Sequence, residues 1–454
     1  MADMGAGTKN ALADQHVISY NAPDVKPTGG MLVRTLLRGG TVHLRKSVRQ
    51  ADIILKDDKI ESVGEIRNAR GFDSVRDLKG LHVFPGFVDV HVHLREPGFF
   101  YKESIRTGTL AAARGGFTSI FAMPNVHPTP DCTAHLKEQL RIIKQDAVVR
   151  VYPYGAITRG QKGCGDLSDM VSLSRYVKWL SDDGNGIQNT QTMREAMKLS
   201  KRAGCLIAAH CEDKDLRPSR GIIHEGRYSA AHHLDGIPSR SEYEQLKRDI
   251  DLVRETGCRY HMCHVSAGES VSLLRKAKQE GLDITAETAP HYLILCEDSL
   301  QDDGAYKMNP PLRAREDRAA LIAGLLDGTI DMVATDHAPH TEAEKGCGLS
   351  ESLFGIVGLE TCFQLMMTYF VKPGLISLEK LTEKMIYAPA DRFGIKSEIV
   401  PGHPADMTVW DINRETIVQP DCFASKGRST PFRDTKVFGY CIMTLCKGKI
   451  VYEV

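Results

Sequence analysis

Between Phe84 and His340 the chain runs through eight short apolar segments, each closing on polar residues: Phe87–His93, Thr118–Met123, Val148–Gly155, Val177–Asp183, Leu206–His210, Tyr260–His264, Ile284–Thr288 and Met332–Asp336. Eight buried strands suffice to close a sheet into a barrel. Stretches of helical periodicity lie between them, Glu103–Arg114, Ala134–Lys144, Thr192–Ala203, Glu242–Glu255, Glu269–Gln279 and Asp317–Leu326, each long enough for a crossover helix. Strands alternating with helices pair in parallel, so the expected class is α/β, a (β/α)8 TIM-like barrel. Such barrels place their active sites at the carboxyl ends of the strands, where the His and Asp residues of these segments fall.

Outside the barrel the pattern changes. Leu32–Arg38, Thr41–Leu44, Ala51–Lys56 and Lys59–Val63 are β-type segments punctuated by Gly39-Gly40 and Asp57-Asp58, which predicts a small antiparallel sheet. Met407–Asp411, Ile417 onward and Lys436–Lys447 repeat the style at the far end. The expected layout is a composite β-domain from residues 31–84 and 396–454, a barrel over 85–395, and a flexible tail over 1–30, where Gly, Pro, Asn and Asp follow no period. Lys+Arg and Asp+Glu both total 58, leaving no global field to attract nucleic acid or an anionic membrane, so a small-molecule partner is expected. Apolar runs such as Thr361–Val371 fall short of the roughly 20 residues of a membrane helix, and residues 1–30 lack the layout of a secretory signal. Twelve scattered cysteines with no Cys-x-x-Cys fit reduced thiols in a cytoplasmic protein.

His91-Val92-His93 ends the first barrel segment, and strand alternation sends both imidazoles to one side, where they can share a metal. Taken alone, such a pair can also be a hydrogen-bonded surface feature. His210, His264 and Asp336, each closing a further segment, change that reading. Four histidines and a carboxylate exceed what one tetrahedral ion requires, so two cations bridged by an anionic ligand are expected. Arg95 follows the histidine pair by two residues and faces the same mouth, where its planar fork can pair with a carboxylate. Cys211 and Cys263 beside the ligands read as small core residues.

The segment Phe84-Pro85-Gly86-Phe87-Val88-Asp89-Val90-His91-Val92-His93-Leu94-Arg95-Glu96-Pro97-Gly98 resembles the metal-binding signature of the amidohydrolase-superfamily cyclic amidases, specifically the bacterial class I dihydroorotases. Met123-Pro124-Asn125, Met308-Asn309-Pro310-Pro311-Leu312-Arg313 and Thr335–His340 match in the same order, and the resemblance runs from about Met31 to the C-terminus. It implies a metal-dependent barrel with an appended β-domain, catalysing the reversible cyclisation of N-carbamoyl-L-aspartate to L-dihydroorotate in pyrimidine biosynthesis. It also implies Zn2+, two per chain with one site weaker: His91 and His93 on the first ion, His210 and His264 on the second, Asp183 and a hydroxide between them. Asp336 would bind the first ion and carry the reaction's proton.

Many relatives supply the bridge as a carboxylated lysine. Here the fourth segment ends Val177-Lys178-Trp179-Leu180-Ser181-Asp182-Asp183-Gly184, and the branch it resembles uses the second Asp of Asp-Asp-Gly, which points to Asp183. Lys178, deeper in the run, is the competing bridge, and Asp182-Asp183-Gly184 also reads as a plain turn. For the substrate, the resemblance adds His93, Asn125, Asn309 and His340 to Arg95, with Phe354-Gly355 offering backbone contacts. His337, His291 and His224 receive no role. A hydantoinase or allantoinase would keep the metal shell and change the substrate grip, against which Arg95 and Asn125 stand. A catalytically silent scaffold, for instance for aspartate transcarbamoylase, would lose ligands, and none of the six is missing. The resemblance leaves room for a homodimer and for association with aspartate transcarbamoylase.

Overall fold

The computed structural model describes residues 33–68 and 70–454. The tail expected over 1–30 lies outside the described residues. All eight barrel runs form, in chain order: Phe87–Val92, Phe117–Ala122, Arg150–Pro153 with Gly155–Ala156, Trp179–Ser181, Leu206–Ala209, Arg259–Met262, Ile284–Thr288 and Met332–Val333. Every pairing among them is parallel. Their interiors are near-continuous Val, Ile, Phe and Ala because both faces are covered, the outer one by helices.

The third run is one run in sequence and two strands in space. Arg150–Pro153 pairs with the second strand and Gly155–Ala156 with the fourth. Pro153 has no N–H to offer a ladder. Tyr154 spans the break, its N–H donating to Ala122 O and its hydroxyl to Val90 O, both at 2.9 Å. A parallel bridge between Val92 and His337 joins the last strand's exit to the first strand.

The expected crossover helices appear as Ile105–Arg114, Thr133–Asp146, Thr190–Ala203, Arg240–Thr256, Gly268–Gln279 and Arg315–Asp327. Local chemistry sets their ends. Ser104 Oγ accepts the Thr107 N–H at 3.1 Å, Asn189 Oδ1 accepts the Thr192 N–H at 3.0 Å, and Gly204 closes its helix at φ +64°. The third strand is followed by the short turns Arg159–Gln161 and Met170–Leu173, and the eighth by the α turns Glu342–Lys345 and Gly348–Glu351 and then by short α turns and π segments from Cys362 to Phe393.

Both ends of the chain build one eight-stranded sheet: Arg34–Leu44, Ser47–Lys56, Lys59–Gly64, Ser74–Asp77 and His82–Pro85 with Met407–Ile417, Lys436–Cys446 and Lys449–Glu453. Two expectations need correction. The two runs expected on either side of Gly39-Gly40 are not separate strands but one, Arg34–Leu44, kinked by a bulge between Leu37 and Gly40 with Gly39 at φ +72°. Nor is the sheet wholly antiparallel. Its strand Arg34–Leu44 pairs in parallel with Ser74–Asp77 and His82–Pro85, because the chain crosses back after Gly64 and re-enters in the same direction. Leu37, Val42, Ile53, Val83, Met407, Val409 and Leu445 form this sheet's own core. No helix among the described residues is long and apolar enough to cross a membrane.

Candidate metal centre

The ladder ends before most of the candidate ligands. His91 lies in the first strand, whereas His93, Asp183, His210, His264 and Asp336 lie one to three residues beyond the last paired residue of theirs. Strand alternation therefore does not aim them. His264 at φ +32° and Asp336 at φ +48° turn through the left-handed region, which costs a non-glycine residue about 1 kcal/mol or more and is tolerated where surrounding structure holds it.

The result is a buried ring of nitrogen and oxygen atoms. His91 Nε2 stands 3.4 Å from Asp183 Oδ1 and 3.3 Å from Asp336 Oδ1, and His93 Nε2 stands 3.5 Å from Asp183 Oδ2 and 3.1 Å from Asp336 Oδ1. On the other side of Asp183, its Oδ1 lies 3.4 Å from His264 Nε2 and 3.8 Å from His210 Nδ1. Most of these separations exceed a good N–H···O bond. They match the roughly 3.3 Å edge of a tetrahedron whose centre binds N and O ligands at about 2.0–2.1 Å. His91 Nε2 and Asp183 Oδ1 are buried and have no hydrogen-bond partner, although buried polar atoms are rarely left unpaired. The donor set thus fits cations on both sides of Asp183.

Charge agrees with geometry. Burial opposes protonation of His91, yet Asp183, Asp336 and Glu287 outweigh it and hold its pKa well above the ordinary value. Burial also opposes ionisation of Asp183 and Asp336, and the neighbouring histidines, His91 foremost, hold both below the usual carboxylate range. Positive charge is favoured at His91, whereas burial and the nearby Arg95 lower the pKa of His93. The histidines are also steered from behind: His91 Nδ1 lies 2.6 Å from Glu287 Oε1, and His93 Nδ1 lies 2.9 Å from Asn125 Oδ1, so each imidazole can present Nε2 to the ring.

Arg95 reaches the mouth by a route other than the expected alternation. Its backbone is left-handed at φ +61°, and its guanidinium donates to Pro339 O at 3.2 Å and lies 3.3 Å from His340 Nε2. Burial lowers its pKa to about 10, against the pull of Asp336 and Asp183, so it remains charged. His340 is pushed down to about 3 by burial and by Arg95 and Lys102, and its Nε2 lies 2.9 Å from Phe354 O. Asn309 Nδ2 donates to Glu212 Oε1 at 3.2 Å. Two of the four backbone groups of Phe354-Gly355 are engaged within the protein: Phe354 O faces His340 and the Gly355 N–H donates to Lys307 O at 3.0 Å. Gly355 sits at φ +134°, and a Cβ there would meet Ala338 O at 2.6 Å.

Lys178 precedes the strand Trp179–Ser181 and donates to Ala203 O at 3.3 Å, at the opposite end of that strand from Asp183. His337 takes the Gly358 N–H on Nδ1 at 3.2 Å and turns Nε2 toward Glu103 and Ser425, while His224 lies 3.4 Å from Arg313. His291 is buried with burial lowering its pKa to about 4. Cys211 Sγ packs 3.2 Å from the Tyr260 hydroxyl, and Cys263 is buried in the core. Sequence reasoning missed Glu287 and Glu212. Each carried a signal: a carboxylate inside or directly after a fully buried run is costly unless something pairs with it.

A family profile described as Dihydro-orotase-like matches residues 80–270. The chain is 47% identical over 405 residues to a dihydroorotase of Bacillus thuringiensis (strain Al Hakam), covering 88% of this chain and 94% of that one. A dihydroorotase of Bacillus cereus (strain B4264) gives the same identity and coverage. Among solved structures, the dihydropyrimidinase from Brevibacillus agri superposes with a TM-score of 0.82 at 23% identity, covering 93% of this chain and 95% of that one. The L-hydantoinase from Arthrobacter aurescens gives 0.82 at 26%, with 93% and 96% covered.

Proposed function

We infer how the residues divide the chemistry from the premise that this chain belongs to the dihydroorotase family and interconverts N-carbamoyl-L-aspartate and L-dihydroorotate, a step of pyrimidine biosynthesis. The observation that carries the reading is the ring of four imidazoles and two carboxylates, spaced 3.1–3.8 Å across its imidazole–carboxylate pairs. His91, His93 and Asp336 would hold one divalent cation and His210 and His264 a second, with Asp183 between them; the His and carboxylate donors suit zinc. When bound, such a pair polarises the amide carbonyl and eases deprotonation of the attacking water.

Asp336 accepts the water's proton and delivers it to the leaving ring nitrogen; in ring closure the carboxylate takes that proton from the attacking nitrogen and returns it to the departing oxygen. Glu287 and Asn125 keep the proton of His91 and His93 on Nδ1, so Nε2 stays a lone-pair donor. Arg95 pairs with the carboxylate shared by substrate and product, and Asn125, Asn309 and His340 complete the grip around it. Neutral His340 acts there as a hydrogen-bonding group rather than a second cation. With Phe354 O and the Gly355 N–H engaged elsewhere, the Phe354 N–H and the Gly355 O are the backbone contacts these two residues offer. A cytoplasmic setting, a homodimer and an association with aspartate transcarbamoylase belong to the same reading and rest on the resemblance.

The test is turnover of L-dihydroorotate, hydantoin and allantoin by one metal-reconstituted sample whose metal content is measured. Turnover of dihydroorotate that vanishes on chelation and returns with the metal is expected. Full activity in the chelated protein, or preference for a ring without the carboxylate, would refute the assignment.

A further inference from the structure

The two histidine sets are not supported alike. His91 is tied through its outer nitrogen to Glu287 at 2.6 Å, the carboxylate–histidine arrangement that fixes the tautomer of a metal ligand. His210 has no such tie. Its Nδ1 faces Asp183 and His264, while Nε2 is buried without a hydrogen-bond partner. Glu212 Oε2 stands 3.8 Å from that Nε2, beyond hydrogen-bond reach. Glu212 is itself 4% exposed and held elsewhere: Arg217 NH1 donates to Oε2 at 2.8 Å and Asn309 Nδ2 donates to Oε1 at 3.2 Å. Arg217 in turn lies 5.4 Å over the Phe354 ring at the rim. One buried carboxylate therefore links a candidate metal ligand, a candidate substrate-reading amide and the rim.

We propose that Glu212 is a positioning residue that couples substrate binding to the affinity of the second cation, by moving between Asn309 and His210. In the free enzyme Asn309 on Oε1 and Arg217 on Oε2 together hold Glu212 back from His210. When Asn309 turns its N–H to the substrate's carboxylate, Glu212 loses one of these two anchors, and Oε2, still paired with Arg217, shifts toward His210 Nε2 and makes the missing bond. That bond fixes the proton on Nε2 and strengthens Nδ1 as a ligand. Linkage makes the effect reciprocal, so a filled second site binds substrate more tightly. The proposal rests on the two-cation reading above.

The experiment titrates the metal-free full chain with Zn2+ against a competing chromophoric chelator, with and without a saturating equilibrium mixture of N-carbamoyl-L-aspartate and L-dihydroorotate. In the wild type the ligands should tighten the second equivalent by about 5-fold or more. In Glu212→Gln the second equivalent should weaken roughly 10-fold or more with the ligands present, the first should not change, and the response to ligands should disappear. Asn309→Ala, altered at a half-buried position, should bind the second equivalent as tightly as the ligand-bound wild type, whether or not ligands are present. A wild-type second equivalent indifferent to ligands, or equal weakening of both equivalents in Glu212→Gln, would overturn the coupling. A wild type that takes up one equivalent only would instead overturn the two-cation reading beneath it.

Discussion

Glu287→Gln tests whether the first cation depends on the tautomer of His91. Glu287 is buried and accepts three N–H groups, from His91 Nδ1 at 2.6 Å, His261 Nε2 at 3.1 Å and the His264 backbone at 3.3 Å. Glutamine keeps the shape but offers one oxygen and one NH2. If the NH2 faces His91, it needs an acceptor there, and the imidazole proton must move to Nε2, the atom that meets Asp183 and Asp336. If it faces His261 instead, His91 keeps its bond but to a neutral oxygen, losing the charge-assisted share of an interaction worth about 1.5–3 kcal/mol. Either way the first equivalent should weaken by roughly 10- to 100-fold, about 1.4–2.8 kcal/mol. The His264 N–H shares Oε1 with His91 and keeps an acceptor only in the second orientation, but it is a backbone group and not a ligand atom, so the second equivalent should change less. Competition titration against a chelator reads both equivalents separately, and thermal unfolding of the metal-free variant checks the fold. Retention of the first equivalent within about threefold of wild type, well inside the expected range, would refute the argument.

Three further outcomes are expected. Arg95→Lys keeps the charge and loses the planar fork, so kcat/KM for L-dihydroorotate should fall roughly 10- to 100-fold at unchanged metal content, with a smaller loss on hydantoin; equal losses would make Arg95 a support rather than a reader. Reconstitution in buffer free of carbon dioxide should restore full activity, because Lys178 stands at the far end of its strand; recovery that needs bicarbonate and is lost in Lys178→Ala would move the bridge to Lys178. The third concerns pH. Burial opposes ionisation of Glu242, but Arg313 at 3.5 Å, Ser266, Ser270 and the Ala267 N–H hold it below the usual carboxylate range. Its contribution is therefore present above the ordinary carboxylate pKa and lost as pH falls through the folded value. Glu242→Gln should cost about 3–5 kcal/mol near neutrality, as removal of one partner of a buried pair does. Urea unfolding should show that gap narrowing below about pH 4; a gap unchanged by acid would remove ionisation from the account.

The barrel was legible because a strand covered on both faces must be apolar along its whole length, and eight such runs leave few other closures. The ligands were legible because histidines and aspartates at the ends of those runs are costly there unless they do something. What could not be read was how they are aimed. Arg95, His264 and Asp336 are placed by left-handed backbone, which strand alternation does not anticipate. Glu287 escaped because it sits inside a run, where the same apolar pattern that reveals the strand hides the exception. The parallel pairings of the terminal sheet escaped for a different reason: Thr35 opposite Ser74 and Val42 opposite Val83 are long-range matches that no local period records.

That terminal sheet also sets a schedule for the ribosome. His82–Pro85, the strand that leads directly into His91 and His93, is bordered on one side by Arg34–Leu44 and on the other by Met407–Ile417. Its second neighbour is translated about 320 residues later. At roughly 5–20 residues per second, the strand waits on the order of 15–65 s with one edge open. An unpaired edge is a template for pairing with any other extended chain, including a second nascent copy. The strand is thus vulnerable until Met407–Ile417 has been made. Ribosome stalling or truncation upstream of Met407 should therefore give aggregation rather than a smaller folded barrel.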